Sequence, residues 1–223
     1  MVQVYNALDV LKIKTAQKLY QSGLSANILS FMGLALMAVA AFLILYKGSW
    51  GLAGLALLGS GVLDLLDGAV ARVAGKASAY GGILDSTLDR YGDGFIFLAI
   101  IFNCVNQGTW VAAGLAAAVL VGSFNVSYVR ARAECEIKSC RVGFWERGER
   151  ISYLALGFFL GNLQWVLWVL AVGSNWTAIQ RLLFSKKMGT DVGREAHSRS
   201  SGSYLIKVAV LLVLVILLRI PLA

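Results

Sequence analysis

Residues 50–72 read WGLAGLALLGSGVLDLLDGAVAR, fourteen residues without a charge followed by Asp64, Asp67 and Arg72. An apolar run of this length predicts a membrane-spanning helix, since about 20 residues at a 1.5 Å rise cover a ~30 Å hydrocarbon core. Similar runs lie at about 26–46, 83–103 and 109–129. The stretch 151–180 is too long for one crossing and is interrupted by Gly157, Gly161 and Asn162. It reads as two short spans meeting near Gly161–Leu163. Gly157-x-x-x-Gly161 also offers a small-residue face for close helix packing, such as a dimer seam. A last run, Tyr204–Ile220, is a candidate seventh span. The expected fold is therefore an all-α polytopic membrane protein with six transmembrane helices.

Composition leads to the same class. Of 223 residues, 58% are hydrophobic and 14% charged, with one proline and a mean hydropathy of +0.73. Soluble domains carry about 25% charged residues, and a chain of this size buries only about 70% of its surface. Secreted, disordered and nucleic-acid-binding classes are excluded: the net charge of +8 is spread between apolar runs rather than gathered in one patch. Counting Lys and Arg in alternate loops puts 18 of the 20 on one side, with only Lys47 and Arg219 opposite. By the positive-inside rule the N-terminus and large loops face the cytoplasm, in a multi-pass protein of the cell membrane.

Before the first span, Val4, Leu8, Leu11, Ile13 and Leu19 alternate with Lys12, Lys14 and Lys18. This predicts an amphipathic juxtamembrane helix over 1–22, lying on the inner leaflet. The remaining organisation is a transmembrane domain at 23–187, a Ser/Gly/Arg-rich flexible linker at 188–203 and a C-terminal hydrophobic helix at 204–223. No cleavable signal peptide is read at the start. Cys104, Cys135 and Cys140 form no CxxC and read as free thiols. One histidine, His197, leaves no room for a Ser-His-Asp triad or a His-ligated zinc.

The chemistry is expected among the acids. Asp64, Asp67, Asp85, Asp89 and Asp93 fall within 30 residues, at the ends of two consecutive spans. Each carboxylate placed in a membrane helix costs about 2.5–3.5 kcal/mol, so such groups face a polar cavity and need partners. Arg72, Lys76 and Arg90 are too few to neutralise five of them. Asp64 and Asp67 stand i, i+3 on one helix and Asp85 and Asp89 i, i+4 on the next, so each pair shares a face. Two antiparallel helices bring the four together, and all-oxygen ligands favour hard cations such as Mg²⁺, Mn²⁺ or Ca²⁺. Four carboxylates suffice for a two-metal site of the kind that serves phosphoryl displacement. Gly68, Ala71, Gly75, Gly81 and Gly82 leave space for a ligand, and Arg72 supplies a fork for a phosphate.

Asp64-Leu-Leu-Asp67-Gly68-Ala-Val-Ala71-Arg72, then eight residues, then Gly81-Gly-Ile-Leu-Asp85-Ser-Thr-Leu-Asp89 resembles the complete signature of the CDP-alcohol phosphotransferases, D-x2-D-G-x2-A-R-x8-G-x3-D-x3-D. The resemblance covers roughly residues 20–187. It implies six transmembrane helices, a homodimer, an active site open to the cytoplasm, and transfer from a CDP-linked alcohol to a second alcohol with release of CMP. It further implies two Mg²⁺ ions, with Mn²⁺ as an alternative: Asp64, Asp67 and Asp85 hold one, and Asp67, Asp85 and Asp89 the other. Asp89 doubles as the base for the acceptor hydroxyl. Asp64, Gly68, Ala71, Arg72, Ser78 and Gly81 contact the CDP-lipid. The family's Pro-Asn motif is here Ala26-Asn27, which puts Asn27, Ile28, Leu29 and Ser30 beside the nucleotide and departs from the pattern at the proline.

Ser127-Tyr-Val-Arg130-Ala-Arg132-Ala-Glu134, Glu146-Arg147-Gly-Glu149-Arg150 and Thr177-Ala-Ile-Gln180-Arg181 resemble the inositol-phosphate-using branch of that family, bacterial and archaeal. The resemblance implies an acceptor-phosphate pocket formed by Arg130, Arg150 and Arg181, with Arg132 and Arg147 as weaker candidates. Bidentate contact with a phosphate dianion suits arginine. Asp93 reads as supporting the ligands from behind or as solvated. The reading is a transferase joining CDP-diacylglycerol or CDP-archaeol to inositol 1-phosphate among membrane lipids, with no nucleic-acid partner. Its alternatives are the same reaction with glycerol 3-phosphate, serine or free inositol as acceptor, and a divalent-cation channel lined by the aspartates.

Overall fold

The computed structural model describes residues 7–190, which hold seven helices and, among the described residues, no strand. These are α1 (Ala7–Gln21), α2 (Ala26–Lys47), α3 (Trp50–Val73), α4 (Ala79–Asn106), α5 (Trp110–Ala133), α6 (Arg147–Leu160) and α7 (Leu163–Thr190). Every apolar run read from the sequence between residues 26 and 180 becomes a helix. The region 151–180 is divided where expected, α6 ending in the left-handed Gly161 and α7 starting at Leu163. Residues 1–6 and 191–223 lie outside the described residues. With them go the start of the N-terminal helix, most of the expected linker, His197 and the C-terminal apolar run.

By length and composition alone, α2, α3 and α5 qualify as candidate membrane spans. Large apolar side chains such as Phe42, Leu55 and Val121 stand exposed on them, as hydrocarbon permits and water penalises. Of the other four helices, α1 is only 15 residues long, and α4, α6 and α7 miss that standard for physical reasons. Asp85, Asp89, Arg90 and Asp93 dilute α4, while Asn175 and Gln180 are among the polar residues of α7. The 14 residues of α6 reach only about 21 Å. The chain is a multi-pass membrane protein.

The structure divides into two compact units, one through Asn103 and one from Cys104 onward. In the first, α2 and α1 both pack on α3. Ala16 of α1, Leu29 of α2, and Ala69 and Val70 of α3 form a buried cluster, which ties α1 down through its small residue while Lys14 and Lys18 stay exposed. Asn103 of α4 donates to the Ile44 carbonyl of α2 at 3.1 Å, a polar bond of the kind that fastens helices where water is scarce.

In the second unit α5 and α6 pack on α7. Asn175 of α7 donates to the Ala118 carbonyl of α5 at 3.1 Å. A Cβ on Gly157 would stand 2.6 Å from Val166 Cγ2, so this glycine is needed for the contact of α6 with α7 inside one chain. The small-residue face read from Gly157-x-x-x-Gly161 is thus used within the molecule. The α5–α6 connection is anchored by Trp145, whose indole lies over Gly173. The Trp145 backbone N–H donates to Thr177 Oγ1 at 3.3 Å, and its backbone carbonyl accepts from Arg150 at 2.9 Å.

Candidate metal and phosphate site

The turn between α3 and α4 decides which acids meet. Helix α3 ends with Gly75 in the left-handed region (φ 63°). The Gly75 N–H donates to the Arg72 carbonyl and the Lys76 N–H to the Ala71 carbonyl, the paired bonds of a Schellman stop. Helix α4 restarts at Ala79 behind Ser78, whose Oγ accepts the Gly81 N–H at 3.0 Å and so caps the helix. Chain reversal over these few residues carries Asp85 back to Asp64 and Asp67. One carboxylate oxygen from each of the three lies within 4.8 Å of the others. Asp67 is buried (6% exposed), whereas Asp64 and Asp85 are half-buried. Across from them Ser30 of α2 donates its hydroxyl to Asp67 Oδ2 at 2.7 Å. Asp89 is half-buried one turn beyond Asp85 and is not part of the close trio. Asp93, a turn further, is buried (4% exposed), which removes the solvated alternative for it.

The residues expected near the nucleotide take varied positions. Asn27 and Ile28 are exposed in the first turn of α2, Leu29 is in the core cluster, and Ser30 is at Asp67. Gly68 and Ala71 are half-buried, and Arg72 is exposed with its guanidinium folded back toward Gly68; a Cβ there would be 3.5 Å from Nη1. The missing proline at position 26 has a substitute that the sequence reading passed over. Ser25 caps α2 by accepting the Ile28 N–H at 3.4 Å, and a Ser immediately before the first helical residue was the available signal.

In the second unit the three arginines singled out as phosphate ligands have partners of their own. Arg181 is buried (2% exposed); Nη1 donates to the Val126 carbonyl at 2.7 Å and Nε to the Val142 carbonyl at 2.9 Å. Its Nη2 lies 3.9 Å from Glu146. Arg150 is buried on the Trp145 carbonyl. Arg130 pairs with Glu134 at 3.1 Å, and Glu134 also accepts the Cys140 N–H at 3.2 Å. Burial pushes the Glu134 carboxyl up, but the Cys140 N–H and the Arg130 guanidinium together hold it below the usual range. Arg132 is an exposed residue paired with Glu136.

All three cysteines are free thiols, in agreement with the sequence reading. Cys135 is exposed; Cys140 is fully buried, and burial pushes its thiol above the ordinary value. A water-soluble maleimide at neutral pH is therefore expected to label Cys135 and to reach Cys140 only after denaturation, because the thiolate is the reacting form. Mass spectrometry of tryptic peptides reads the difference. Equal labelling of the two in the folded protein would contradict the packing of this loop.

A family model described as CDP-alcohol phosphatidyltransferase matches residues 24–180, which include the trio, the capped turn, Arg130 and Arg150, and stop one residue before Arg181. The chain belongs to this family. It is accordingly a phosphotransferase of the CDP-alcohol class, and the channel reading falls. Among relatives, the archaetidylinositol phosphate synthase of Pyrococcus horikoshii is 36% identical over 166 residues, which is 74% of this chain and 85% of that one. The phosphatidylinositol phosphate synthase of Mycobacterium tuberculosis with CDP-DAG bound superposes with a TM-score of 0.72 at 26% identity, covering 85% of this chain and 98% of that one. The same enzyme in complex with manganese and citrate gives a TM-score of 0.72 at 25% identity, over 87% and 98% of the two chains.

In this CDP-alcohol phosphatidyltransferase the donor set suits a divalent ion on its own terms. Oxygens bound to one hard cation at about 2.0–2.6 Å stand at most about 4–5 Å apart, and the trio's oxygens are within 4.8 Å. Three carboxylates with no thiol or imidazole among them favour Mg²⁺ or Mn²⁺ over zinc or copper.

Proposed function

We propose that this enzyme transfers a phosphatidyl or archaetidyl group from a CDP-lipid to inositol 1-phosphate, releasing CMP. The convergence of Asp64, Asp67 and Asp85, in a chain whose relatives bear inositol-phosphate synthase names, is the observation that carries this reading. Asp64, Asp67 and Asp85 hold one ion, and Asp67, Asp85 and Asp89 a second. When bound, such ions offset charge on the diphosphate as it is displaced. Asp89 takes the proton of the acceptor hydroxyl, whose oxygen forms a bond to the lipid-linked phosphorus. The bond from that phosphorus to the oxygen of CMP breaks. Gly68, Ala71, Arg72, Ser78, Gly81 and the Asn27–Ser30 turn receive the cytidine diphosphate. Arg130, Arg150 and Arg181 serve the phosphate of the acceptor.

The proposed frame for this chemistry is α1 on the inner leaflet, α2–α7 as six crossings, and the active side toward the cytoplasm, in a homodimer. The transmembrane domain occupies 23–187. The shortness of α6 is met by local thinning of the bilayer, a modest cost per ångström of mismatch.

A CMP-release assay in liposomes with Mg²⁺, crossing CDP-diacylglycerol and CDP-archaeol with inositol 1-phosphate, glycerol 3-phosphate, serine and inositol, tests the proposal. The expected result is turnover with inositol 1-phosphate on at least one lipid. Turnover confined to glycerol 3-phosphate or serine would end the inositol assignment while leaving the class intact.

A further inference from the structure

Ser30 lies 37 residues from Asp67 in sequence and on a different helix, yet its hydroxyl is 2.7 Å from Asp67 Oδ2. The Ala26 carbonyl is also within reach, at 3.2 Å. A serine hydroxyl has one proton to donate. The shorter contact, to an ionised acceptor, is the stronger claim on it, so the carboxylate receives the proton and the carbonyl remains a distant neighbour. Asp67 is the most buried member of the trio and has two further carboxylates within 4.8 Å. Burial denies it the hydration that would otherwise offset like-charge repulsion. A fixed O–H is what the protein supplies instead. The turn that carries Ser30 is itself held, by the Ser25 cap at one end and by Leu29 in the α1–α3 core.

We infer that Ser30 is a positioning residue for the metal site, orienting and stabilising the Asp67 carboxylate as a ligand, rather than only a wall of the nucleotide pocket. The inference rests on the proposed metal role of the trio. Groups that orient metal ligands matter to affinity because a ligand free to rotate must be ordered on binding. The Ser30 hydroxyl takes one of the roughly four acceptor sites of the Asp67 carboxylate.

The test is Mn²⁺ binding to the full-length protein in detergent without CDP-lipid, followed by the electron paramagnetic resonance signal of the free ion. Ser30→Thr and Ser30→Val make the central comparison, being alike in branching and volume and different in the hydroxyl. Ser30→Thr is expected to bind as the wild type does, and Ser30→Val to bind about 10–100-fold more weakly. Ser30→Ala removes the hydroxyl without added bulk, suits a helix, and is expected to match Ser30→Val. Equal affinity for Thr and Val variants, whether both strong or both weak, would overturn the inference. Asp85→Asn, measured alongside, addresses the underlying reading: Mn²⁺ binding unchanged in that variant would remove the trio as a metal site and the role of Ser30 with it. Weakened binding in Asp85→Asn with Ser30→Val unaffected would remove the Ser30 inference alone.

Discussion

Asp89→Asn lowers CMP release by about 10²–10⁴-fold, the contribution of a positioned general base. Asparagine has the size of aspartate and can still offer one oxygen, but it cannot take a proton from the acceptor hydroxyl. Asp89 sits one turn along α4 from Asp85 and outside the trio whose oxygens approach within 4.8 Å. Loss of its charge therefore leaves the Asp64–Asp67–Asp85 ligand set in place. The expected signature is a fall in kcat with little change in KM for the CDP-lipid, as when an interaction confined to the transition state is removed. Residual activity should rise with pH as hydroxide replaces the missing base. Mn²⁺ stoichiometry measured on the same variant separates the two roles proposed for this residue. Loss of one ion assigns the defect to metal binding, and retention of both assigns it to proton transfer. Wild-type turnover would end both assignments.

Arg181→Met is expected to be the most destabilising of the arginine substitutions. Its guanidinium bonds two carbonyls, at Val126 in α5 and at Val142 in the connection to α6, from a buried position on α7. Leaving a buried acceptor without a donor costs about 1–3 kcal/mol, so the pair amounts to roughly 2–5 kcal/mol after the relief of no longer burying a charge. Thermal unfolding in detergent reads this directly. Arg181→Lys distinguishes the structural bonds from the proposed phosphate contact. A lysine restores positive charge but not a planar fork able to meet two carbonyls. A lysine variant with wild-type melting and a raised KM for the acceptor would show that the fork serves the acceptor phosphate rather than the two carbonyls. Reduced melting in both variants is the outcome the geometry predicts.

How much of this was legible beforehand depended on the range of the interactions. Helix limits are local, and Gly75 and Gly161 mark them because the left-handed backbone at a helix stop suits a residue without Cβ. The meeting of Asp64 and Asp67 with Asp85 was legible because two helical offsets and one short turn determine it. The Ser25 cap is equally local, a serine immediately before the first residue of α2. The bonds of Ser30 to Asp67 and of Arg181 to Val126 and Val142 span 37, 55 and 39 residues. No periodicity encodes them, since they depend on which helix faces pack together. The same limit explains Gly157, where a small-residue pattern gives close approach without naming the partner, here Val166 of the next helix. Asp93 shows the converse. Its burial follows from the inward face of α4, shared with Gly92, Ile96 and Ile100, rather than from a signature position.

Arg181 grips α5 and the following loop by their main chains, and a carbonyl oxygen is common to all twenty amino acids. Replacement of Val126 or Val142 by another side chain of similar bulk leaves both acceptors where they were. The side chain at position 142 itself is consequently free to vary in evolution, while position 181, which reads the main chain there, is not.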